Sequence, residues 1–233
     1  MVQKMGVIGA MKGEVAQLKA NMSGVTITNK ASMEFYEGRL ADKTVVVVQS
    51  GIGKVNAAVC AQILIDDFAV DGIINTGIAG SLRHEINIGD IVISTDALQH
   101  DVDATEFGYP LGQVPQLEVL SFQADEALIG QALNSCGKVN PQIGVFKGRV
   151  VSGDQFIASD EVKQRIIKNF DGFCTEMEGA AIAQVAYLNQ IPFVIIRAIS
   201  DKADDSAQMD YPTFEKQAIE NSFKLVKNMI TAL

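Results

Sequence analysis

The chain has no tryptophan, only three cysteines and two histidines, and fewer basic than acidic residues. The cysteines, Cys60, Cys136 and Cys174, are far apart, and neither a CxxC pair nor clustered histidines accompany them. This odd, scattered set predicts reduced, partly buried thiols rather than a disulfide framework. The two histidines, His84 and His100, have no partners at the spacing of metal ligands, so we expect neither a metal nor another cofactor.

Charge and hydropathy exclude two classes of partner. The 28 acidic against 19 basic residues give a formal net charge of −9, which repels nucleic acid and anionic membrane surfaces. No apolar run approaches the roughly 18 residues of a membrane span, and residues 1–9 lead directly into a strand pattern without a secretion signal. We therefore expect a cytoplasmic protein without nucleic acid or membrane partners. A nucleoside that carries no phosphate is not excluded by this charge.

Short runs of β-branched residues alternate with helical patterns along the chain. Residues 44–48 and 193–199 are almost entirely apolar, which is typical of strands buried on both faces of a sheet. The alternation predicts βα units. Residues 32–40 and 44–49 predict a hairpin, so we expect a mixed sheet. The 48% hydrophobic content and the absence of a linker or repeat predict one domain over residues 1–233.

Two acidic segments near the C-terminal end give the strongest indication of a site. Glu176 and Glu178 follow one strand-like run, and Arg197 and Asp201 lie in and after the next. Ligands of α/β sheets bind at the carboxyl ends of strands, which is where these side chains are expected. An extended segment would put Glu176 and Glu178 on one face, whereas a helical segment would not. Asp201 taken alone is best explained as a helix N-cap.

Other segments are weaker signals when each is taken alone. Residues 51–54, Gly-Ile-Gly-Lys, follow a strand and open a helix, so their backbone N–H groups can face a ligand, although the spacing is not that of a Walker A loop. Residues 75–81 predict a turn after the next strand, with small residues that permit close approach. Glu14 is explained by the dipole of the first helix. Residues 109–115, rich in Gly and Pro, predict a surface loop.

Together these segments resemble the 5′-methylthioadenosine/S-adenosylhomocysteine nucleosidases of the nucleoside phosphorylase fold superfamily. The resemblance runs nearly from end to end and rests on residues 6–11 with Glu14, 50–54, 75–77, 151–154 with Phe156 and Ile157, 176–178 and 197–201. It implies a three-layer α/β/α fold around a mixed, barrel-like central sheet, and a homodimer. The implied reaction is hydrolysis of the N-glycosidic bond of methylthioadenosine, S-adenosylhomocysteine and 5′-deoxyadenosine, which releases adenine in methionine salvage.

The resemblance also implies roles for individual residues. Asp201, supported by Ser200, would protonate adenine N7, while Glu14 would deprotonate the attacking water, as in inverting glycoside hydrolysis. Arg197 would order the region of Glu14, and Glu178 would accept hydrogen bonds from the ribose hydroxyls. The other implied substrate contacts are Ala79, Gly80, Phe156, Ile157, Glu176 and Met177 around base and sugar, Met11, Ile52 and Tyr211 around the 5′-alkylthio group, and Phe107 and Pro115 lent by the other subunit.

Departures from the family pattern and two alternative functions remain. Residues 12–13, Ile78 and Tyr211 differ from the family pattern. Because of these differences the resemblance does not predict which 5′-substituent is preferred, although it still predicts the reaction. A purine nucleoside phosphorylase needs arginines or backbone donors around a phosphate dianion, whereas this chain has Glu14 and a segment, 75–80, without arginine. A non-catalytic adenosine sensor would bind its ligand without turnover. The absence of GxGxxG argues against dinucleotide binding.

Overall fold

The computed structural model describes residues 4–233, except for the side chains of residues 208 and 209. Within this range strands and helices alternate along the chain. The strands are β1 Lys4–Gly9, β2 Ser23–Lys30, β3 Met33–Leu40, β4 Lys43–Gln49, β5 Gly72–Ser81, β6 Ile91–Gln99, β7 Phe122–Gln123, β8 Val145–Ser152, β9 Cys174–Glu176 and β10 Phe193–Asp201. The helices are α1 Lys12–Ala20, α2 Lys54–Phe68, α3 Glu126–Val139, α4 Asp160–Phe170, α5 Gly179–Asn189 and α6 Ala207–Ala232, and a 3-10 turn covers Thr105–Phe107.

Five of the strands close into a barrel. β10 pairs with β6, β6 with β8, β8 with β9 and β9 with β5, and β5 pairs again with β10 to complete the ring. The β10–β5, β6–β8 and β8–β9 pairs are parallel, whereas β10–β6 and β5–β9 are antiparallel. From β5 the sheet continues through β1, β4, β3 and β2. The predicted α/β class with a mixed, barrel-like sheet is confirmed, as is the β3–β4 hairpin.

Helices cover the sheet and explain why its central strands are apolar on both faces. Every residue of β5 and β10 is buried, and α6 packs against both strands. Helix α5 packs against α2 and also contacts β6 and β8, while α3 packs against α6 and β6. The three cysteines are free and buried in this core. None of the helices between residues 4 and 233 is long and apolar enough to cross a membrane.

The structure differs from the sequence-based expectation at two strands. Residues 75–81 continue β5, so the predicted turn at this segment is wrong. The glycines of this segment let two carboxylate side chains pack closely against β5. A Cβ added at Gly77 would lie 2.5 Å from Glu14 Oε1, and one added at Gly80 would lie 2.7 Å from Asp201 Oδ1. The strand β2 had no predicted counterpart, because it is an edge strand exposed along its whole length and so lacks an alternating buried face.

Candidate active site

A cavity of about 450 Å³ opens where several strands end, a size typical of small-molecule sites. Its walls come from the segments that follow β1, β4 and β8 and from the ends of β5, β9 and β10, together with α1 and α6. The residues that line it are Ala10, Met11, Glu14, Ile52, Ile78, Ala79, Gly80, Phe156, Thr175, Glu176, Met177, Glu178, Ser200, Asp201 and Tyr211. The lining is therefore apolar with acidic groups, and it contains no lysine or arginine among the described residues.

Glu14 connects the first helix to the barrel. Its carboxylate accepts a hydrogen bond from the backbone N–H of Met11 at 2.8 Å and another, through the second oxygen, from that of Ile78 at 3.1 Å. The first of these bonds caps the N-terminus of α1, as the sequence-based explanation of Glu14 expects. The bond from Ile78 on β5 is not part of that explanation. Burial raises the pKa of Glu14, while the positive charge of Arg197 and the backbone donors oppose this shift. Glu14 is thus a buried carboxylate held from two sides.

Glu176 is engaged by protein groups on all sides. Burial would raise its pKa, but Arg197 and the Ser152 hydroxyl hold the pKa below its usual value. Arg197 Nη2 donates to a Glu176 oxygen and to Asn75 Oδ1, the latter at 2.6 Å, and Ser152 Oγ donates to Glu176. The backbone N–H groups of Glu178 and Gly179 also donate to it, at 3.1 and 2.8 Å. Its carboxylate therefore orients the start of α5.

Glu178 is as deeply buried as Glu176 but has fewer hydrogen-bond partners among the described residues. It occupies the N-cap position of α5, after β9 has ended at Glu176, so residues 175–178 are neither wholly extended nor wholly helical. Its Oε1 accepts from the backbone N–H of Gly53 at 2.8 Å, which gives the turn before α2 a contact in the site. Burial, followed by the charge of Glu176, raises the pKa of Glu178 to about 7.

Asp201 lies at the last position of β10. Its Oδ1 accepts from the backbone N–H of Ala203 at 2.8 Å, and its Oδ2 accepts from Ser200 Oγ at 2.9 Å. Helix α6 begins later, with Ser206 at its N-cap position, so the N-cap explanation of Asp201 is wrong. Burial raises the pKa of Asp201 although both hydrogen bonds lower it. A carboxyl group that retains its proton to higher pH is suited to general acid catalysis.

Apolar and aromatic side chains form another wall of the cavity. Phe156 is 52% exposed, and its ring meets that of Tyr211 edge to face, with the ring centroids 5.9 Å apart. The Tyr211 hydroxyl donates to the sulfur of Met11 at 3.2 Å. Burial raises the pKa of Tyr211 to about 12. Ile52 lines the same cavity and is half-exposed. A flat or apolar ligand group would be accommodated here.

The cavity collects most of the residues that the sequence singled out. The exceptions are Arg197, which lies behind Glu176, Ile157, which is buried in a second apolar cluster, and Phe107 and Pro115, which are exposed. Sequence reasoning missed two lining residues, Ala10, which lies inside the segment 6–11, and Thr175, which directly precedes the segment 176–178. Among the described residues, no three His, Cys, Asp or Glu side chains are grouped so as to hold a metal ion.

Comparison with known proteins agrees with this geometry. The phosphorylase superfamily profile matches residues 4–231. A 5′-methylthioadenosine/S-adenosylhomocysteine nucleosidase of Staphylococcus aureus is 43% identical over 229 residues, which cover 98% of this chain and 99% of that protein.

Two solved structures extend the comparison. That of the Neisseria meningitidis nucleosidase of the same name, in complex with methylthio-immucillin-A, is 43% identical, with a TM-score of 0.96 and full coverage of both chains. A futalosine hydrolase of Helicobacter pylori is 32% identical with a TM-score of 0.94, covering 100% of this chain and 99% of that one. The chain therefore belongs to the phosphorylase superfamily and, within it, to the 5′-methylthioadenosine/S-adenosylhomocysteine nucleosidases.

Proposed function

We propose that this chain, acting as one domain, hydrolyses the N-glycosidic bond of 5′-methylthioadenosine and S-adenosylhomocysteine, and also of 5′-deoxyadenosine. The products are adenine and the corresponding 5-substituted ribose. The observation that carries this proposal is the placement of two buried carboxyl groups, Glu14 and Asp201, in one apolar cavity. Both carboxyl groups line a cavity of about 450 Å³, a volume that accommodates a small-molecule substrate.

At the base end, Asp201 donates its proton to N7 of adenine. An adenine anion is a poor leaving group, and protonation makes it neutral as the bond to the sugar breaks. Burial raises the pKa of Asp201, so the proton is present at neutral pH more often than on an exposed carboxyl group. Ser200 Oγ and the Ala203 N–H fix the two oxygens, which orients the acid.

At the sugar end, Glu14 accepts a proton from the attacking water. The N–H groups of Met11 and Ile78 hold its two oxygens and support the ionised form. Glu178 and Met177 lie beside the ribose, where a carboxylate stabilises the positive charge that develops on the sugar ring. Because the charge grows towards the transition state, the contribution of Glu178 is larger there than in the ground state.

The composition of the cavity favours water over phosphate as the nucleophile. Phosphorolysis requires cationic or backbone donors around a dianion. The described lining residues include four carboxylates and no lysine or arginine, and the nearby Arg197 already binds Glu176 and Asn75. A phosphate ion would therefore be repelled from this cavity.

Adenine release in phosphate-free buffer tests the reaction. We expect release from methylthioadenosine and S-adenosylhomocysteine without phosphate, together with a free reducing sugar. Futalosine should be included, because a futalosine hydrolase has the same fold. A requirement for phosphate with formation of a ribose 1-phosphate would assign a phosphorylase, and binding without turnover would assign a sensor.

Glu178→Gln is expected to lower kcat/KM about tenfold or more, because an amide cannot offset positive charge on the sugar.

The same change should alter the pH dependence of stability. The pKa of Glu178 is about 7 in the folded protein against an ordinary 4.5, so the folded state binds more protons between these values. The contribution of Glu178 to the free energy of unfolding is therefore largest below pH 4.5 and falls as the pH rises towards about 7.

Urea unfolding of Glu178→Gln and the parent protein at pH 5 and pH 8 measures this difference. The variant should gain stability relative to the parent at pH 8, since its side chain carries no buried charge. An unchanged kcat/KM would remove Glu178 from the reaction, and a relative stability independent of pH would show that its carboxylate does not titrate in this window.

We further propose a cytoplasmic homodimer that serves methionine salvage and the removal of S-adenosylhomocysteine. Free, buried cysteines suit a reducing compartment. Exposed apolar side chains support a second copy as the partner: Phe107 is 84% exposed, and Val55, 75% exposed, lies one helical turn from the exposed Val59 on α2. Phe107 and Pro115 would complete the 5′-alkylthio pocket of the other subunit.

Phe107→Ala is expected to raise KM for methylthioadenosine about tenfold with a smaller change in kcat, because the aromatic contact binds substrate and transition state alike. Steady-state kinetics measure the changes in KM and in kcat separately. Light scattering tests the homodimer and should give twice the 25.0 kDa chain mass for the parent protein. Val25→Ala, at an exposed apolar position on β2, is the control. A monomeric parent enzyme with full activity would contradict the shared site.

A further inference from the structure

Helix α2 begins at a glycine and is capped by carboxylates from other parts of the chain. Gly53, at the N-cap position, has no side chain that could accept hydrogen bonds from the first backbone N–H groups of the helix. The Gly53 N–H donates to Glu178 Oε1 at 2.8 Å, and the Lys54 N–H donates to Asp154 Oδ1, also at 2.8 Å. Asp154 therefore ties the loop that follows β8 to the turn that holds Glu178.

Asp154 also closes a ring of interactions with Lys54 and Asp101. Lys54 Nζ donates to Asp101 Oδ1 at 2.6 Å, and the backbone N–H of Asp154 donates to Asp101 Oδ2 at 2.9 Å. The side chains of Lys54 and Asp101 are 19% and 16% exposed, so solvent and salt screen this ion pair less than a surface pair. Burial would raise the pKa of Asp101, but Lys54 and the Asp154 N–H hold the pKa below its usual value. The ring joins the segments after β6 and β8 to the start of α2.

Phe156 lies between this ring and a second point of attachment. Residues 155–158 belong to neither a helix nor a strand, and they form no hydrogen bonds within the described part of the chain. Asp154 holds the loop two residues before Phe156, and Ile157, buried in the second apolar cluster, holds it one residue after. Phe156 itself is 52% exposed. The position of its ring at the cavity wall therefore depends on these two attachments.

We propose that Asp154 is a positioning residue that holds Phe156 in place for the purine base, an inference that rests on the proposed nucleosidase function. Asp154 acts through its bond from the Lys54 N–H and does not itself line the cavity formed by the described residues. Without this side chain the loop loses its attachment to α2, so that ordering Phe156 against the base costs binding free energy. Glu178 keeps its own bond from Gly53, so the sugar end of the cavity is unaffected.

Asp154→Ala removes the acceptor of the Lys54 N–H, whereas Asp154→Asn keeps an oxygen that can accept the same bond. The dissociation constant of adenine is expected to rise about fivefold in Asp154→Ala, and to stay within about twofold of the parent in Asp154→Asn. The affinity for 5-methylthioribose should be unchanged in both variants. Asp160→Ala, which removes an exposed carboxylate at the start of α4, is the control and should bind adenine as the parent does.

A double-mutant cycle with Phe156→Ala distinguishes positioning of Phe156 from a general loss of stability. If Asp154 acts through Phe156, Asp154→Ala should weaken adenine binding about fivefold in the parent but less than about twofold in Phe156→Ala. Titration calorimetry with adenine and with 5-methylthioribose measures the affinities, and thermal unfolding establishes that each variant is folded at the assay temperature.

Three results would overturn the proposal: unchanged adenine affinity in Asp154→Ala, an equal loss in both backgrounds, or an Asp154→Asn variant as weak as Asp154→Ala. A lower melting temperature with unchanged adenine affinity assigns Asp154 a purely structural role and also overturns it. Adenine release by the parent enzyme is measured separately. A parent that binds adenine without releasing it from a nucleoside refutes the nucleosidase assignment alone, whereas one that does not bind adenine refutes both.

Discussion

Asp201→Asn is expected to lower kcat on methylthioadenosine by about 100-fold or more and to leave the fold intact. An amide has no proton to give to adenine N7, so the base must leave as an anion. The asparagine oxygen can still accept the hydrogen bond from the Ala203 N–H, which keeps the end of β10 in place. KM should change much less than kcat, because the proposed contacts with the base and sugar involve mainly other residues.

The pH profile gives a second measure of this variant. In the proposed mechanism Asp201 acts in its protonated form, so activity is expected to decline as the pH rises through its elevated pKa. The low residual activity of Asp201→Asn should show no such decline at alkaline pH. Asp205→Asn, the same change at an exposed position nearby, serves as the control and should retain full activity. Near-normal turnover in Asp201→Asn would refute the assignment of the general acid.

Glu14→Gln is expected to lower kcat by a similar factor, about 100-fold or more, because an amide cannot accept the proton of the attacking water. As the proposed base, Glu14 acts in its ionised form, and burial raises its pKa, so the parent enzyme should lose activity as the pH falls through that elevated value. The variant should lack this acid decline. Stopped-time assays of adenine release across pH 5 to 9, a range of about two units on either side of neutrality, measure both effects.

The same change also has a structural consequence that must be measured separately. Glu14 satisfies the Met11 and Ile78 N–H groups with two different oxygens, whereas glutamine has one. One buried N–H loses its acceptor, which costs about 1–3 kcal/mol, while removal of a buried charge offsets part of this cost. Thermal unfolding separates loss of fold from loss of chemistry. Glu161→Gln, in the first turn of α4, is the matched control, and a folded Glu14→Gln enzyme with normal kcat would exclude Glu14 as the base.

Local patterns in the sequence predicted much of the fold and the acidic part of the site. The almost entirely apolar runs 44–48 in β4 and 193–199 in β10 identified buried strands, because a strand covered on both faces has no polar alternation. Polar residues at the ends of such strands identified the region of Glu178 and Asp201. The edge strand β2 escaped detection, since exposure on both faces removes the hydrophobic signal that a buried strand carries.

The fold class, the family and the residue types available for catalysis could be predicted from the sequence, because they depend on local periodicity and on motifs that stand in a fixed order. The tertiary structure alone decided how those residues are used. Glu14 reaches Ile78, Gly53 reaches Glu178 and Arg197 saturates Glu176, although each pair is far apart in the chain. Such contacts follow from strand order and barrel closure, which bring distant segments to one cavity and set the burial that raises or lowers each pKa.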